Sequence, residues 1–256
     1  METGVAAGVP YAVLPPRTSR PDAPVVVGWH LMDPPRTETA LAAALPLTGL
    51  DAWRVYLGLP LTGSRAPAGG VEALGYADAV LEMFGPAVFG AADEFPAALA
   101  ALRPTVGEGP LAVLGGSIGS LVAQEVATRT PVAAISLVSP VTQLRPVVAA
   151  NGRRYGVTYV WTPPADEVAD RLDFVARAKE LDAPTLLVVG ADDAPDGILE
   201  PAARLHAALP GSSLVTVPGM EHALAEEPGV APAPQTPQAA AVDRLVVDWF
   251  RTHLGG

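Results

Sequence analysis

A serine between two glycines is the residue of this chain best placed to do chemistry. The apolar run 111–114 has the length of a buried strand, Gly115-Gly116-Ser117-Ile118-Gly119 follows it, and residues 121–126 favour a helix. A strand that turns into a helix within one residue forces that residue to a positive φ, and flanking glycines leave room for the close backbones. The serine would then stand at a helix N-terminus, where a developing negative charge is stabilised. The pattern predicts a nucleophilic serine.

Two later loops carry the side chains that such a serine needs. A strand-like run at 185–189 leads into Gly190-Ala191-Asp192-Asp193, and a second run at 213–217 leads into Pro218-Gly219-Met220-Glu221-His222. The carboxyl ends of parallel strands gather at one edge of a sheet, so we expect the loops to meet there. A serine, an acid and a histidine together are the components of nucleophilic acyl transfer.

Apolar runs and helical patterns alternate along most of the chain. This alternation predicts an α/β fold with a mostly parallel central sheet flanked by helices, as one domain over residues 1–256. Strands are predicted at 8–14, 24–30, 53–59, 110–116, 132–139, 184–190 and 213–217. Helices are predicted at 36–45, 71–84, 91–102, 118–129, 169–181 and 200–208, and in a final amphipathic helix around Val242–Phe250.

Proline, glycine and aspartate residues suggest several boundaries. Pro10 restricts the first strand to a sheet edge, Asp33 is a candidate cap for the helix at 36–45, and Gly85-Pro86 is expected to separate two helices. Residues 141–182 have the least regular pattern, and the Pro/Ala-rich stretch 226–240 is interpreted as a surface loop.

Over essentially its whole length the chain resembles the α/β-hydrolase superfamily. The resemblance is carried by Gly115-Gly116-Ser117-Ile118-Gly119, Gly190-Ala191-Asp192-Asp193 and Val217-Pro218-Gly219-Met220-Glu221-His222. It implies that Ser117 is the nucleophile, that His222 is the general base and then the acid, and that Asp193 orients the imidazole. The family's acid usually lies three residues after the glycine that ends the strand, which favours Asp193, and Asp192 and Asp196 are the alternatives for this position.

The resemblance also implies an oxyanion hole. The family's His-Gly turn corresponds here to His30-Leu31-Met32, which has no glycine. The Met32 amide, or alternatively the Leu31 amide, is expected to pair with the Ile118 amide. Backbone donors do not depend on side-chain identity, so the function survives the altered turn.

The segment around 141–165 is expected to form a small lid over an open, shallow pocket. The apolar residues expected to line that pocket are Trp29, Leu31, Val141, Leu144 and Met220. These features predict a carboxylesterase that cleaves short-chain esters. A thioesterase, a lactonase or a cofactor-free lyase on the same fold, and a noncatalytic binding protein, remain alternatives.

The other histidines have simpler interpretations. His206 falls in a predicted helix and His253 near the chain end, so both are expected at the surface, whereas His30 is expected to be structural. The run 192–197 imitates part of a calcium loop, but its twelfth position is Ala203, so no metal is expected. No nucleotide or nicotinamide motif appears, and no cofactor is expected.

Composition limits the classes of partner. The net charge of -11 disfavours nucleic acid and anionic membranes, which leaves a small-molecule ester as the expected partner. The 256 residues include no cysteine, which excludes disulfides and a thiol nucleophile. The N-terminus lacks the pattern of a secretory signal, which predicts a cytoplasmic protein, although a mature secreted chain would look the same. The oligomeric state stays open.

Overall fold

The strands of the protein form one twisted sheet. The computed structural model describes residues 1–18 and 20–255, and the eight strands found there are hydrogen-bonded in the order β1-β2-β4-β3-β5-β6-β7-β8. The strands are β1 (Glu2–Ala6), β2 (Val9–Leu14), β3 (Val25–Trp29), β4 (Trp53–Leu57), β5 (Leu111–Gly116), β6 (Ala134–Val138), β7 (Thr185–Gly190) and β8 (Ser213–Val217). Only the β1–β2 and β2–β4 pairs are antiparallel. The predicted mostly parallel sheet is therefore confirmed.

Helices cover both faces of this sheet. They are α1 (Glu38–Ala44), α2 (Gly70–Asp78), α3 (Gly85–Val106), α4 (Ile118–Arg129), α5 (Leu144–Tyr155), α6 (Pro163–Arg171), α7 (Glu200–Ala208) and α8 (Pro237–Leu254). Single π-helical turns, Ala79–Phe84 and Pro195–Leu199, precede α3 and α7.

The core lies in two layers, one on each side of the sheet. Along β3, Val25, Val27 and Trp29 face one layer and Val26 faces the other, as the two-residue repeat of a strand requires. All five β3 residues are buried, which is typical of a central parallel strand. This rigid centre carries the loops that follow β3 and β5.

The first strand predicted from the sequence is not at the edge of the sheet. An additional strand, β1, forms a hairpin with β2, so β2 lies between β1 and β4. Pro10 has no N–H to contribute, but it lies opposite Val5 and its carbonyl accepts the Gly58 amide. The restriction of this strand to an edge was wrong because Pro10 lies just before the residues that pair with β4, which begin at Tyr11, so its missing N–H costs no bond in that ladder.

Two helix boundaries also differ from those predicted. Thr37, not Asp33, caps α1, and its side chain accepts the Ala40 amide. Gly85-Pro86 does mark the boundary predicted after residue 84, but the second helix begins there and not at 91, because a proline in the first turn of α3 has no intrahelical partner to lose.

Residues 141–182 are more regular than expected. They contain α5 and α6, and a helix over 169–181 is wrong, because α6 ends at Arg171. Pro163 and Pro164 start α6, which is the position where the fixed φ of proline favours a helix. The segment over the carboxyl edge is thus a pair of helices. The stretch 226–240 is likewise partly helical, since α8 begins at Pro237.

Across residues 1–18 and 20–255, none of the helices combines the length and apolar character that crossing a bilayer requires.

Candidate active site

Ser117 occupies a tight turn between β5 and α4. Its backbone has φ 48° and ψ -117°, a positive φ that few non-glycine residues adopt. The turn is held by main-chain bonds, because the Ser117 amide donates to Val138 at 3.0 Å and its carbonyl accepts the Ser120 amide at 2.9 Å. The surrounding backbone therefore fixes the strained conformation.

The two glycines of the motif allow the close approach of three backbones. A Cβ on Gly115 would lie 2.2 Å from the Gly119 carbonyl oxygen. A Cβ on Gly119 would lie 2.3 Å from the Trp29 carbonyl oxygen. Both distances are far below van der Waals contact, so any side chain would push β3, β5 and α4 apart. The spacing seen in the sequence has this steric reason.

The loops after β7 and β8 are joined by their backbones. The Ala191 amide donates to Val217 at 2.9 Å, and the Asp192 amide donates to Met220 at 3.0 Å. A Cβ on Gly190 would lie 2.1 Å from the Met220 carbonyl oxygen, so glycine is needed where the loops cross. This contact sets the position of Asp193 relative to His222.

Ser117, His222 and Asp193 form a continuous line of hydrogen bonds. His222 Nε2 lies 2.8 Å from Ser117 Oγ, and His222 Nδ1 lies 2.9 and 3.1 Å from the two Asp193 oxygens. A carboxylate only accepts, so Nδ1 carries the proton and Nε2 accepts the serine hydroxyl. The Asp193 carboxylate is also held by the Ala194 amide at 2.7 Å. The structure thus brings together the three residues singled out in the sequence.

The environment of His222 changes its pKa. Burial alone would lower the pKa of the imidazole, but the hydrogen bond and negative charge of Asp193, with a contribution from Asp33, raise it above its usual 6.5, and Arg154 opposes this rise. The raised pKa makes the ring a stronger proton acceptor. It suits a group that must take a proton from a serine hydroxyl.

The loop after β3 passes next to the serine. Trp29 pairs with Gly115 in the sheet, so the chain beyond Trp29 and the chain beyond Gly115 leave the same edge side by side. Ile118 is the first residue of α4, and its amide has no acceptor within the helix. In the described part of the chain, no acceptor is found for the Met32 amide either. Neither of the two amides that were expected to form an oxyanion hole therefore has a backbone acceptor among the described residues.

The His30 side chain connects this loop to the segment after β4 by hydrogen bonds. It is fully buried, its Nδ1 donates to the Leu31 carbonyl at 2.6 Å, and its Nε2 lies 3.3 Å from the Leu59 amide and 3.2 Å from Thr62 Oγ1. Burial lowers the pKa of the His30 imidazole to about 4. The ring is therefore neutral near pH 7 and links the loop to the segment after β4.

The five residues expected to line a substrate pocket are core residues. Trp29, Val141 and Leu144 belong to one layer of the core, and Leu31 and Met220 belong to the other. None is more than 1% exposed, and the Trp29 ring packs edge-on against Phe95. Apolar type and nearness in sequence to the site do not distinguish a pocket wall from the core beneath it. Leu144 also lines a cavity of about 390 Å³ that does not include the three site residues, and a substrate pocket lined by the five side chains stays a prediction.

The alternative acids and histidines lie elsewhere. Asp192 is exposed, and Asp196 forms an ion pair with Arg153. His206 Nδ1 lies 2.7 Å from Ser212 Oγ, and the His253 ring packs on Trp249. Within residues 1–18 and 20–255, no three His, Asp or Glu side chains converge in a way that would hold a metal ion.

One residue near the site was missed by the sequence reasoning. The Asp33 carboxylate lies 3.9 Å from His222 Nε2, on the side of the imidazole that faces Ser117. The sequence offered only its position directly after Met32, and that position was interpreted as a helix cap. A charge beside Nε2 can be recognised only when the β3 and β8 loops are seen together.

No family model matches the sequence, and no curated protein is similar to it at a significant level. Solved structures do match. An esterase from an Arctic intertidal metagenomic library is 17% identical, with a TM-score of 0.62 over 99% of this chain and 92% of that chain. Dienelactone hydrolase from Anabaena variabilis is 18% identical, with a TM-score of 0.59 over 96% of this chain and 92% of that chain.

A puromycin-hydrolyzing peptidase from Mycobacterium tuberculosis is 19% identical, with a TM-score of 0.68 over 99% of this chain but 40% of that chain. These similarities, with the strand order and the turn at Ser117, define the class of structure: the chain has the α/β-hydrolase fold. The resemblance inferred from the sequence is confirmed at the level of the fold.

Proposed function

We propose that this protein is a serine hydrolase that cleaves carboxylic esters with short acyl chains. The observation that carries the proposal is the hydrogen-bonded line from Ser117 Oγ through the His222 ring to the Asp193 carboxylate. An aligned nucleophile, base and orienting acid on this fold support acyl transfer. The esterase and dienelactone hydrolase among the similar structures support hydrolysis of esters in particular.

In the proposed reaction, Ser117 Oγ attacks the ester carbonyl carbon and its proton passes to His222 Nε2. The amides of Ile118 and Met32 stabilise the resulting oxyanion. The imidazolium, stabilised by Asp193, then gives the proton to the leaving alkoxide as the C–O bond breaks, which leaves an acyl-serine. A water molecule, deprotonated by the same Nε2, attacks the acyl carbon, and the carboxylic acid and the free serine hydroxyl are regenerated.

Packing around the serine supports the proposed preference for short acyl groups. Leu31, Ile118 and Met220 are each at most 1% exposed, so a long acyl chain would have to displace core side chains. Cavities of about 390 and 460 Å³ are lined by residues 143–146 and 181–185, among others, and neither includes the three site residues. A short chain requires the least rearrangement.

The test is a chain-length series of p-nitrophenyl esters on the wild type and on Ser117→Ala. We expect activity on acetate and butyrate, a decline for octanoate and longer esters, and a loss of at least about a thousandfold in kcat/KM for Ser117→Ala. An organophosphate should add its mass to the wild type and leave Ser117→Ala unmodified.

Circular dichroism and the thermal midpoint provide the control that Ser117→Ala remains folded. A folded wild type that leaves acetate and butyrate uncleaved contradicts the ester substrate. Full activity in Ser117→Ala contradicts the nucleophile.

A further inference from the structure

An acidic side chain stands beside the proton-transferring nitrogen of the site. Asp33 Oδ2 lies 3.9 Å from His222 Nε2, and Nε2 lies 2.8 Å from Ser117 Oγ. The Leu224 amide donates to the Pro34 carbonyl at 2.9 Å, which ties the loop after β3 to the loop that carries His222. The carboxylate is thus held next to the reacting atoms by two joined loops.

The charge of Asp33 is not neutralised by the protein. Its side chain is 47% exposed, and among the residues that the structure describes no arginine or lysine lies within ion-pair distance of it. Asp193 differs, because it is buried and its oxygens are occupied by His222 Nδ1 and the Ala194 amide. The charge of Arg154 lowers the pKa of the His222 imidazole, but by less than the charge of Asp33 raises it. A half-exposed negative charge therefore lies beside His222 Nε2.

The position of Asp33 determines which part of a bound ester would lie next to its carboxylate. Nε2 is the atom that protonates the leaving group in serine hydrolysis, so a group beside Nε2 lies beside the departing alcohol. A carboxylate at this place attracts a cation on the alcohol and repels an anion. Since Asp33 is half exposed, solvent keeps the effect moderate.

We propose that Asp33 is a specificity-determining residue that favours esters whose alcohol portion carries a positive charge, such as esters of amino alcohols. This inference rests on the proposed function, because it assumes that esters are cleaved at Ser117. The cleaved bond is the acyl C–O bond, and the released alkoxide takes the proton from Nε2 and leaves as the cationic alcohol.

The test compares two acetate esters of the same shape, acetylcholine and 3,3-dimethylbutyl acetate, which differ by a permanent positive charge. We expect the wild type to prefer acetylcholine in kcat/KM, and we expect Asp33→Asn to reduce the preference about fivefold. Because the ratio is taken on one enzyme, any change in the pKa of His222 affects both substrates and cancels. Raising the salt concentration should reduce the preference in the wild type and have little effect in Asp33→Asn.

Asp182→Asn is the matched control, since it removes one exposed carboxylate at the other end of β7. It should leave the ratio unchanged. A wild-type ratio that does not change in Asp33→Asn, while both acetates are cleaved, overturns the inference and leaves the proposed function intact. If the wild type cleaves neither the two acetates nor the p-nitrophenyl esters, both the inference about Asp33 and the proposed function are overturned. A second pair of esters, betaine methyl ester and methyl 3,3-dimethylbutanoate, carries the difference in charge on the acyl side. If Asp33→Asn changes the ratio of kcat/KM more for this pair than for the acetate pair, the placement of Asp33 on the alcohol side is overturned.

Discussion

At the scale of single residues, the site depends on how much each partner changes the chemistry of the next. Burial disfavours the charged form of the His222 imidazole, and only the hydrogen bond and charge of Asp193, assisted by Asp33, reverse this effect. Asp193 is therefore expected to do two things in catalysis. It keeps the proton on Nδ1, and it stabilises the imidazolium that forms when Ser117 is deprotonated.

Replacing Asp193 by asparagine separates these contributions from folding. In the wild type the acid limb of the kcat/KM profile should lie above pH 6.5, because the pKa of His222 is raised and the neutral ring is the active form. In Asp193→Asn the burial effect dominates, so the limb should move below pH 6.5 while kcat falls on the order of a thousandfold or more.

The pH dependence of p-nitrophenyl acetate hydrolysis measures both quantities. Asp192→Asn removes an exposed neighbour and should leave the acid limb in place. An acid limb that stays above pH 6.5 in Asp193→Asn would show that Asp193 does not raise the pKa of His222.

At the scale of elements, the contact of α4 with β3 shows packing prevailing over helix propensity. Alanine is preferred to glycine inside helices by about 1 kcal/mol, which alone would favour Gly119→Ala in α4. At this position, however, a Cβ would lie 2.3 Å from the Trp29 carbonyl and 2.6 Å from the His30 carbonyl. Those carbonyls are backbone atoms of a central strand and its loop, and they cannot rotate away.

We expect Gly119→Ala to lower the free energy of unfolding by at least about 2 kcal/mol, because overpacking outweighs the gain in propensity. Gly75→Ala in α2 is the matched control. There a Cβ would lie 3.3 Å from Met83 Sδ, the flexible end of a side chain, so the change should be neutral or stabilising by up to about 1 kcal/mol. Urea unfolding measures both variants, and equal effects would refute the steric argument.

At the scale of the whole molecule, one buried carboxylate joins the helix behind the serine to the segment that follows α6. Glu125 in α4 is 3% exposed. It accepts from Arg129 at 2.5 and 3.1 Å and from Arg177 at 2.9 Å. Arg177 also pairs with Glu180 at 2.7 Å. The arginines remain partly exposed, which limits the desolvation cost of the cluster.

Glu125→Gln should therefore destabilise the protein by about 2 kcal/mol, because it leaves buried charge-assisted bonds unmade. Glu180→Gln removes the exposed partner of the same arginine and should change stability by no more than about 0.5 kcal/mol. Urea unfolding compares the two variants. Similar losses for both would mean that burial of Glu125 does not decide the strength of this cluster.

Much of the fold was predictable because its signals are local. The apolar strands at 25–29, 111–116 and 185–190 are buried on both faces and read as continuous runs. The glycines at 115 and 119 and the serine between them can be interpreted sterically from the sequence alone. Their order with Asp193 and His222 then indicated which loops must meet.

Other features were not predictable from local pattern. Thr37 and Asp33 are both good caps, and only the path of the chain after Pro35 decides that Thr37 caps α1. The expected helix at 169–181 ends at Arg171, and the strand that contains Pro10 is not at the edge because β1 pairs with it. The apolar residues predicted to line a pocket are buried, and of these Leu144 also lines a cavity.

By itself, the sequence determined the class of fold and the three residues that could act on a carbonyl, because short-range sterics and strand patterns depend on neighbouring residues. Only the tertiary structure decided the distances among Ser117, His222 and Asp193 and the place of Asp33 beside Nε2. Those distances join loops far apart in the chain. They are set by sheet register, backbone contacts between loops and burial, none of which is encoded in a single segment.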